Sequence, residues 1–130
     1  MNTFDHLHGY MAYFLASLPY ILPKYILKKY GIYIGIYMVF VATQWIFNNG
    51  ECLLNHKNKD PIIEKYGVAA TLAFKFIFCK ADITKFGDTF NNIFDFVWIS
   101  SAYFLSTSNK SLQKFIIIIA FLHLYQLYKK

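Results

Sequence analysis

The chain has 130 residues, of which 57% are hydrophobic and 15% charged. A soluble domain carries roughly a quarter charged residues, and one core of this size cannot conceal so much apolar side chain, so an ordinary water-soluble fold is not expected. The net charge is +6 without a single Arg, the residue that leads in base and phosphate-fork recognition; the charge reads as membrane-topology signal, and no nucleic-acid partner is expected.

Five apolar segments follow one another. The first covers residues 4–22 and is marked at its end by Pro19 and Pro23. It is short for a full crossing. Asp5, His6 and His8 stand where the basic start of a signal peptide belongs, and no small-x-small site follows, so no cleavable leader is expected. The second segment, 30–48, is free of charge from Tyr30 to Phe47 and long enough for about 30 Å of hydrocarbon. The third, 62–79, opens with Glu64 and Lys65 and is interrupted by Lys75, which makes it the weakest candidate. The fourth, 89–107, carries Asp95. The fifth, 112–128, holds a run of four Ile and closes on Lys129 and Lys130.

Lipid offers no partner for backbone N–H and C=O groups, so only helices or closed barrels span it. These segments are continuous rather than alternating, which argues against a barrel. The expected fold is therefore all-α: a polytopic helical membrane protein of one domain, with four to five transmembrane or membrane-embedded helices. Segments four and five, joined by a short turn at Ser108-Asn109, should form an antiparallel hairpin. If every segment after residue 29 crosses, Lys24, Lys28, Lys29, Lys75, Lys80, Lys85, Lys129 and Lys130 share one side, against five lysines on the other. The lysine-rich side is then cytoplasmic, and the 48–61 loop lies opposite Lys28.

The candidate functional residues are the polar ones at or inside the apolar segments. Gln44, Asn48 and Glu51 stand at i, i+4, i+7, one stripe if the second helix runs that far. Asp88, Asn91 or Asn92, and Asp95 form a second stripe opening the fourth segment. Asp95 lies deepest and should face the bundle, because an ionisable group facing lipid is costly. Lys75 is expected at a similar depth, and an Asp95–Lys75 pair would reduce the cost of both charges; the alternative is a Lys75 that reaches out to the interface. His6, His8, Glu51, Cys52 and His56 fall on one side in this topology, a ligand-competent set without a recognised zinc spacing. His123 is embedded but on the other side, so paired haem ligands are not expected. Ser100, Ser101 and Ser106 lack the turn of a nucleophile elbow, and no phosphate loop is present. No catalytic residue, metal or cofactor is assigned. Gly31 and Gly35 form a GxxxG that lets another helix approach closely, inside this chain or in a second copy.

The stretch Trp45-Ile46-Phe47-Asn48-Asn49-Gly50-Glu51-Cys52, followed by Lys57-Asn58-Lys59-Asp60-Pro61, resembles a Trp-to-Gly-Glu-Cys signature that follows a transmembrane helix in small membrane proteins of nucleocytoplasmic large DNA viruses. Phe86-Gly87-Asp88 extends the match. The resemblance implies a viral or virus-derived membrane protein and no activity. The functional expectation is a non-enzymatic multi-pass component of a host or virion inner membrane, in contact with the lipid bilayer and with protein partners or copies of itself. The alternatives are a small oligomeric ion or proton transporter or channel, and a membrane-anchor subunit of a respiratory-type complex in the mitochondrial inner membrane.

Overall fold

In a computed structural model, residues 3–47 and 61–129 are described, and all of their regular structure is helical. The helices are α1 (Thr3–Ile21), α2 (Lys24–Phe47), α3 (Pro61–Tyr66), α4 (Val68–Phe76), α5 (Ile83–Leu105) and α6 (Lys110–Lys129). Two of them, α2 and α6, are long and apolar enough to cross a membrane.

Local chemistry sets the helix ends. Pro19 lies inside the last turn of α1, where its missing N–H forfeits one bond rather than the helix; the break falls instead between Ile21 and Lys24, with Pro23 accepting from the amides of Ile26 and Leu27. α2 thus starts six residues before the charge-free run, because long Lys stems are compatible with a helix end. Asp82 caps α5, its carboxylate accepting from the Thr84 amide at 2.9 Å and the Thr84 hydroxyl at 2.7 Å. Those bonds hold the Asp82 carboxyl below the usual carboxylate range. Asn109 caps α6 through the Leu112 amide at 3.1 Å.

The third apolar segment is where expectation and structure part. Gly67, at φ 86°, breaks it into α3 and α4; a positive φ is readily available to glycine alone. The nine residues of α4 extend only about 14 Å, roughly half a bilayer core. The segment therefore does not run the length of the bundle. Instead α4 lies antiparallel against the first half of α1: His6 meets Phe76, and Tyr13 donates its hydroxyl proton to the Ala69 carbonyl.

The four long helices pack up and down. Parallel α1 and α5 are tied by Tyr13–Phe94, by Ser101 donating to the Ala16 carbonyl, and by Tyr20–Phe104. α2 runs antiparallel to α5: an added Cβ at Gly31 would sit 2.7 Å from the Leu105 carbonyl oxygen, and one at Gly35 would collide with the Ser106 hydroxyl. The GxxxG is thus occupied by a helix of this same chain. α5 and α6 form the expected antiparallel hairpin, with Gln113 donating to the Tyr103 carbonyl at 3.1 Å near the turn and Phe96 against His123 further along. The main core combines Met38, Ala42, Trp45, Trp98, Ala102, Leu105, Ile116 and Ile119.

With segment three not crossing, the ends of the bundle change their membership. One end gathers Lys24, Lys28, Lys29, Lys110 and Lys114, with no carboxylate there among the described residues; it is called the lysine end. The other gathers Lys65, Lys75, Lys80, Lys85 and Lys129 together with Asp5, Glu64, Asp82 and Asp88. Lys28 and Lys80, expected together, are at opposite ends, and the described lysines divide five to five. Lysine number therefore no longer sets an orientation. The 48–61 loop lies, except for Pro61, outside the described residues.

Candidate functional site

A cleft of about 700 Å³ occupies the half of the bundle away from the lysine end, bounded by α1, the α3–α4 pair, α2, α5 and α6. Each wall is held by a side chain bonding to a backbone carbonyl, so the shape follows from a few polar residues. Asn91 donates from Nδ2 to the Tyr66 carbonyl at 2.6 Å. That carbonyl ends α3, where intrahelical partners run out, and the bond pins the Gly67 break against α5. On the other side, the carbonyls of Met38, Ala42 and Ile46 lie four residues apart on one face of α2. The Trp98 indole donates to the first at 2.9 Å, His123 Nε2 lies 3.4 Å from the second, and Gln126 donates to the third at 2.7 Å. Interhelical side-chain bonds of this kind hold helices together where lipid supplies no hydrophobic drive.

The floor is Leu15 and Trp98, the latter 3% exposed. Below it the bundle is closely packed: Met38 and Leu105 are fully buried, and Gly31 and Gly35 bring the α2 and α5 backbones together. The rim carries Glu64, Lys65 and Asp88, all exposed. Met11 of α1 and Tyr37 and Phe40 of α2 also line the cleft while being more than half exposed, so it opens sideways between these two helices as well.

The structure brings Gln44, Asp88, Asn91 and Asp95 to this one cleft, and Asn92 with them. Asp95 is half-buried. Because α5 begins at Ile83, Asp95 lies twelve residues into the helix, about 18 Å from its start and deeper than the segment boundary at Thr89 implied. Lys75 does not join them: it is exposed at the end of α4, with its ammonium 5.6 Å from the centre of the Phe76 ring. The expected Asp95–Lys75 pair is replaced by the alternative, an outward-reaching lysine. Asn48, Glu51 and Cys52, with His56, lie outside the described residues, so the polar stripe of α2 is seen only at Gln44.

Four lining residues escaped the sequence reading. Glu64 marks a weak span in the sequence, and His8 stands there in a ligand-competent set without a recognised zinc spacing. Gln126 and His123 sit on α6, whose expected direction was reversed by the segment-three crossing. His123, placed there on the side away from His8, lines the same cleft as His8. It is 4% exposed and packs edge-on to Trp45 and Phe96. Groups of three or more His, Cys, Asp or Glu arranged to hold a metal ion are absent among the described residues. Ser101 and Ser106 are buried and spend their hydroxyls on the carbonyls of Ala16 and Ala102, which leaves them as packing residues. No protein-family profile, curated protein or solved structure matches the chain.

Proposed function

We propose that the chain is a multi-pass membrane protein in which α1, α2, α5 and α6 each cross the bilayer and the α3–α4 pair enters about halfway from one side. The observation that carries this reading is the bare apolar surface of α6. Only 17% of its most apolar 18-residue stretch is buried within the molecule, and Ile117, Ile118, Phe121, Leu122 and Leu124 all face outward. A core helix of a water-soluble domain buries such a face, and monomeric soluble proteins rarely expose so large a contiguous apolar patch. Lipid satisfies it. α1 and α5 hold no 18-residue stretch as apolar as those of α2 and α6, yet they match them in length, and Asp88 and Asp95 of α5 both line the cleft.

The protein then works as a non-enzymatic membrane component, binding through its cleft and its outer surface. A host or virion membrane is the setting that the Trp45-to-Cys52 resemblance implies; Trp45 itself serves the core, packed on Trp98 at 5.4 Å between ring centroids. A transporter is a second reading, favoured by the gathering of Asp88, Asn91, Asp95 and Gln44. The tight packing between the cleft floor and the lysine end weighs against it, since a through path requires α2 and α5 to part.

The test is retention and topology. The protein should stay in the membrane pellet after alkaline carbonate extraction. With Cys52→Ser, the exposed thiol of Cys79 should be labelled by an impermeant maleimide from the side opposite to a cysteine replacing Lys28 in a Cys52→Ser/Cys79→Ser background. Labelling of both from one side, as five crossings require, refutes the four-crossing arrangement; release by carbonate refutes membrane insertion altogether.

A further inference from the structure

We infer that the cleft is a binding site for an organic ammonium group. The inference goes beyond the membrane reading and stands on the cleft alone. Its size falls in the usual range for small-molecule sites, and its walls divide into two kinds of surface that suit such a cation together. The first is aromatic: Tyr37, Trp45, Tyr66, Phe94, Phe96 and Trp98 all line it. Ring faces attract alkylammonium groups, most strongly where water is excluded. The second is acidic. Glu64, Asp88 and Asp95 line the cleft against a single Lys65, so its carboxylates outnumber its ammonium groups three to one. Carboxamides of Gln44, Asn91, Asn92 and Gln126 complete the polar part.

The placement of the carboxylates disfavours a small metal ion. Asp88 and Asp95 are seven residues apart on α5, about 10 Å along the axis, too far to chelate one ion. They suit a cation that enters past Asp88 and Glu64 at the rim and comes to rest beside Asp95. Lys65, on the outer rim, already holds its own ammonium 5.1 Å from the centre of the Tyr66 ring, the same contact a ligand would make deeper in. The sideways opening between α1 and α2 admits two sources of the group: a free amine from the aqueous side, or a choline-type lipid headgroup from the bilayer.

The chain's two tryptophans, Trp45 and Trp98, both line the cleft, so intrinsic fluorescence reports on it. The experiment uses the full chain in a non-ionic detergent free of choline, titrated with choline chloride and with its uncharged carbon isostere, 3,3-dimethyl-1-butanol. Saturable change of the tryptophan emission is expected for choline, with a midpoint at or below about 1 mM. The isostere should bind at least about tenfold more weakly, and Asp95→Asn should weaken choline by about tenfold. Micelles doped with phosphatidylcholine or phosphatidylglycerol separate the sources: a response to the first lipid alone, without one to free choline, assigns the headgroup. Silence toward both free choline and phosphatidylcholine, or an equal response to the uncharged isostere, overturns the proposal. If Asp95→Asn fails to fold, the isostere comparison on the unmodified chain decides alone.

Discussion

Replacing Gly31 by alanine sets two opposed effects against each other in one residue. In a helix interior glycine costs about 0.5–1 kcal/mol relative to alanine, so the substitution gains that much if space allows. The structure says space is lacking: the new Cβ would lie 2.7 Å from the Leu105 carbonyl oxygen and 3.5 Å from its carbon. These are backbone atoms, and they cannot swing away as a side-chain tip does. Relief requires α2 and α5 to separate along their shared seam, and overpacking of this kind costs typically about 1–3 kcal/mol. The net expectation is a loss of about 1–2 kcal/mol. Gly9 tests a second seam. An alanine Cβ there would collide with Leu72 Cδ1 and lie 2.9 Å from Val68 Cγ1; both side chains are buried and Val68 is stiff at χ1, so Gly9→Ala should destabilise the α1–α4 contact as well. Thermal unfolding in mild detergent, followed by circular dichroism, ranks the variants. Gly31→Ala as stable as the parent refutes the close α2–α5 contact. A change in oligomeric mass at unchanged stability assigns the GxxxG to a second copy instead.

Two further substitutions probe separate joints. Trp98→Phe removes the buried bond to the Met38 carbonyl and should destabilise the bundle by about 1 kcal/mol or somewhat more, with unfolding in detergent as the readout and no loss as the refuting result. Asp82→Ala tests the cap of α5. Its carboxyl is held below the usual range by the Thr84 hydroxyl and amide, so its contribution is fully present above the unfolded value near pH 4 and is lost as pH falls through the lowered folded value. Protection factors of the first-turn amides of α5, corrected for the intrinsic pH dependence of exchange, should fall on acidification in the parent chain; in Asp82→Ala they should already be low at neutral pH. Equal protection in both at neutral pH would show that the cap does nothing.

Composition and patterning were enough for the helical class, for the antiparallel α5–α6 hairpin and for the polar stripe from Asp88 to Asp95, because these depend on local periodicity and on the cost of bare backbone in lipid. The same information singled out Gln44 as a polar residue near the end of its helix, but its place in the cleft comes from the structure. Tertiary structure decided the rest, and the reason lies largely in one residue. Whether residues 62–79 form a single helix cannot be judged from their apolar content; it turns on Gly67 taking φ 86° while Asn91, twenty-five positions away, binds the Tyr66 carbonyl. That break keeps residues 62–79 from running the length of the bundle, reverses the direction expected of every later helix relative to the earlier ones, brings His123 to the same cleft as His8, and leaves Lys75 outside with Phe76 rather than beside Asp95. Local propensity specifies which residues are helical, but the direction in which a helix runs is a parity, and a parity is decided by the contacts that allow or forbid each crossing.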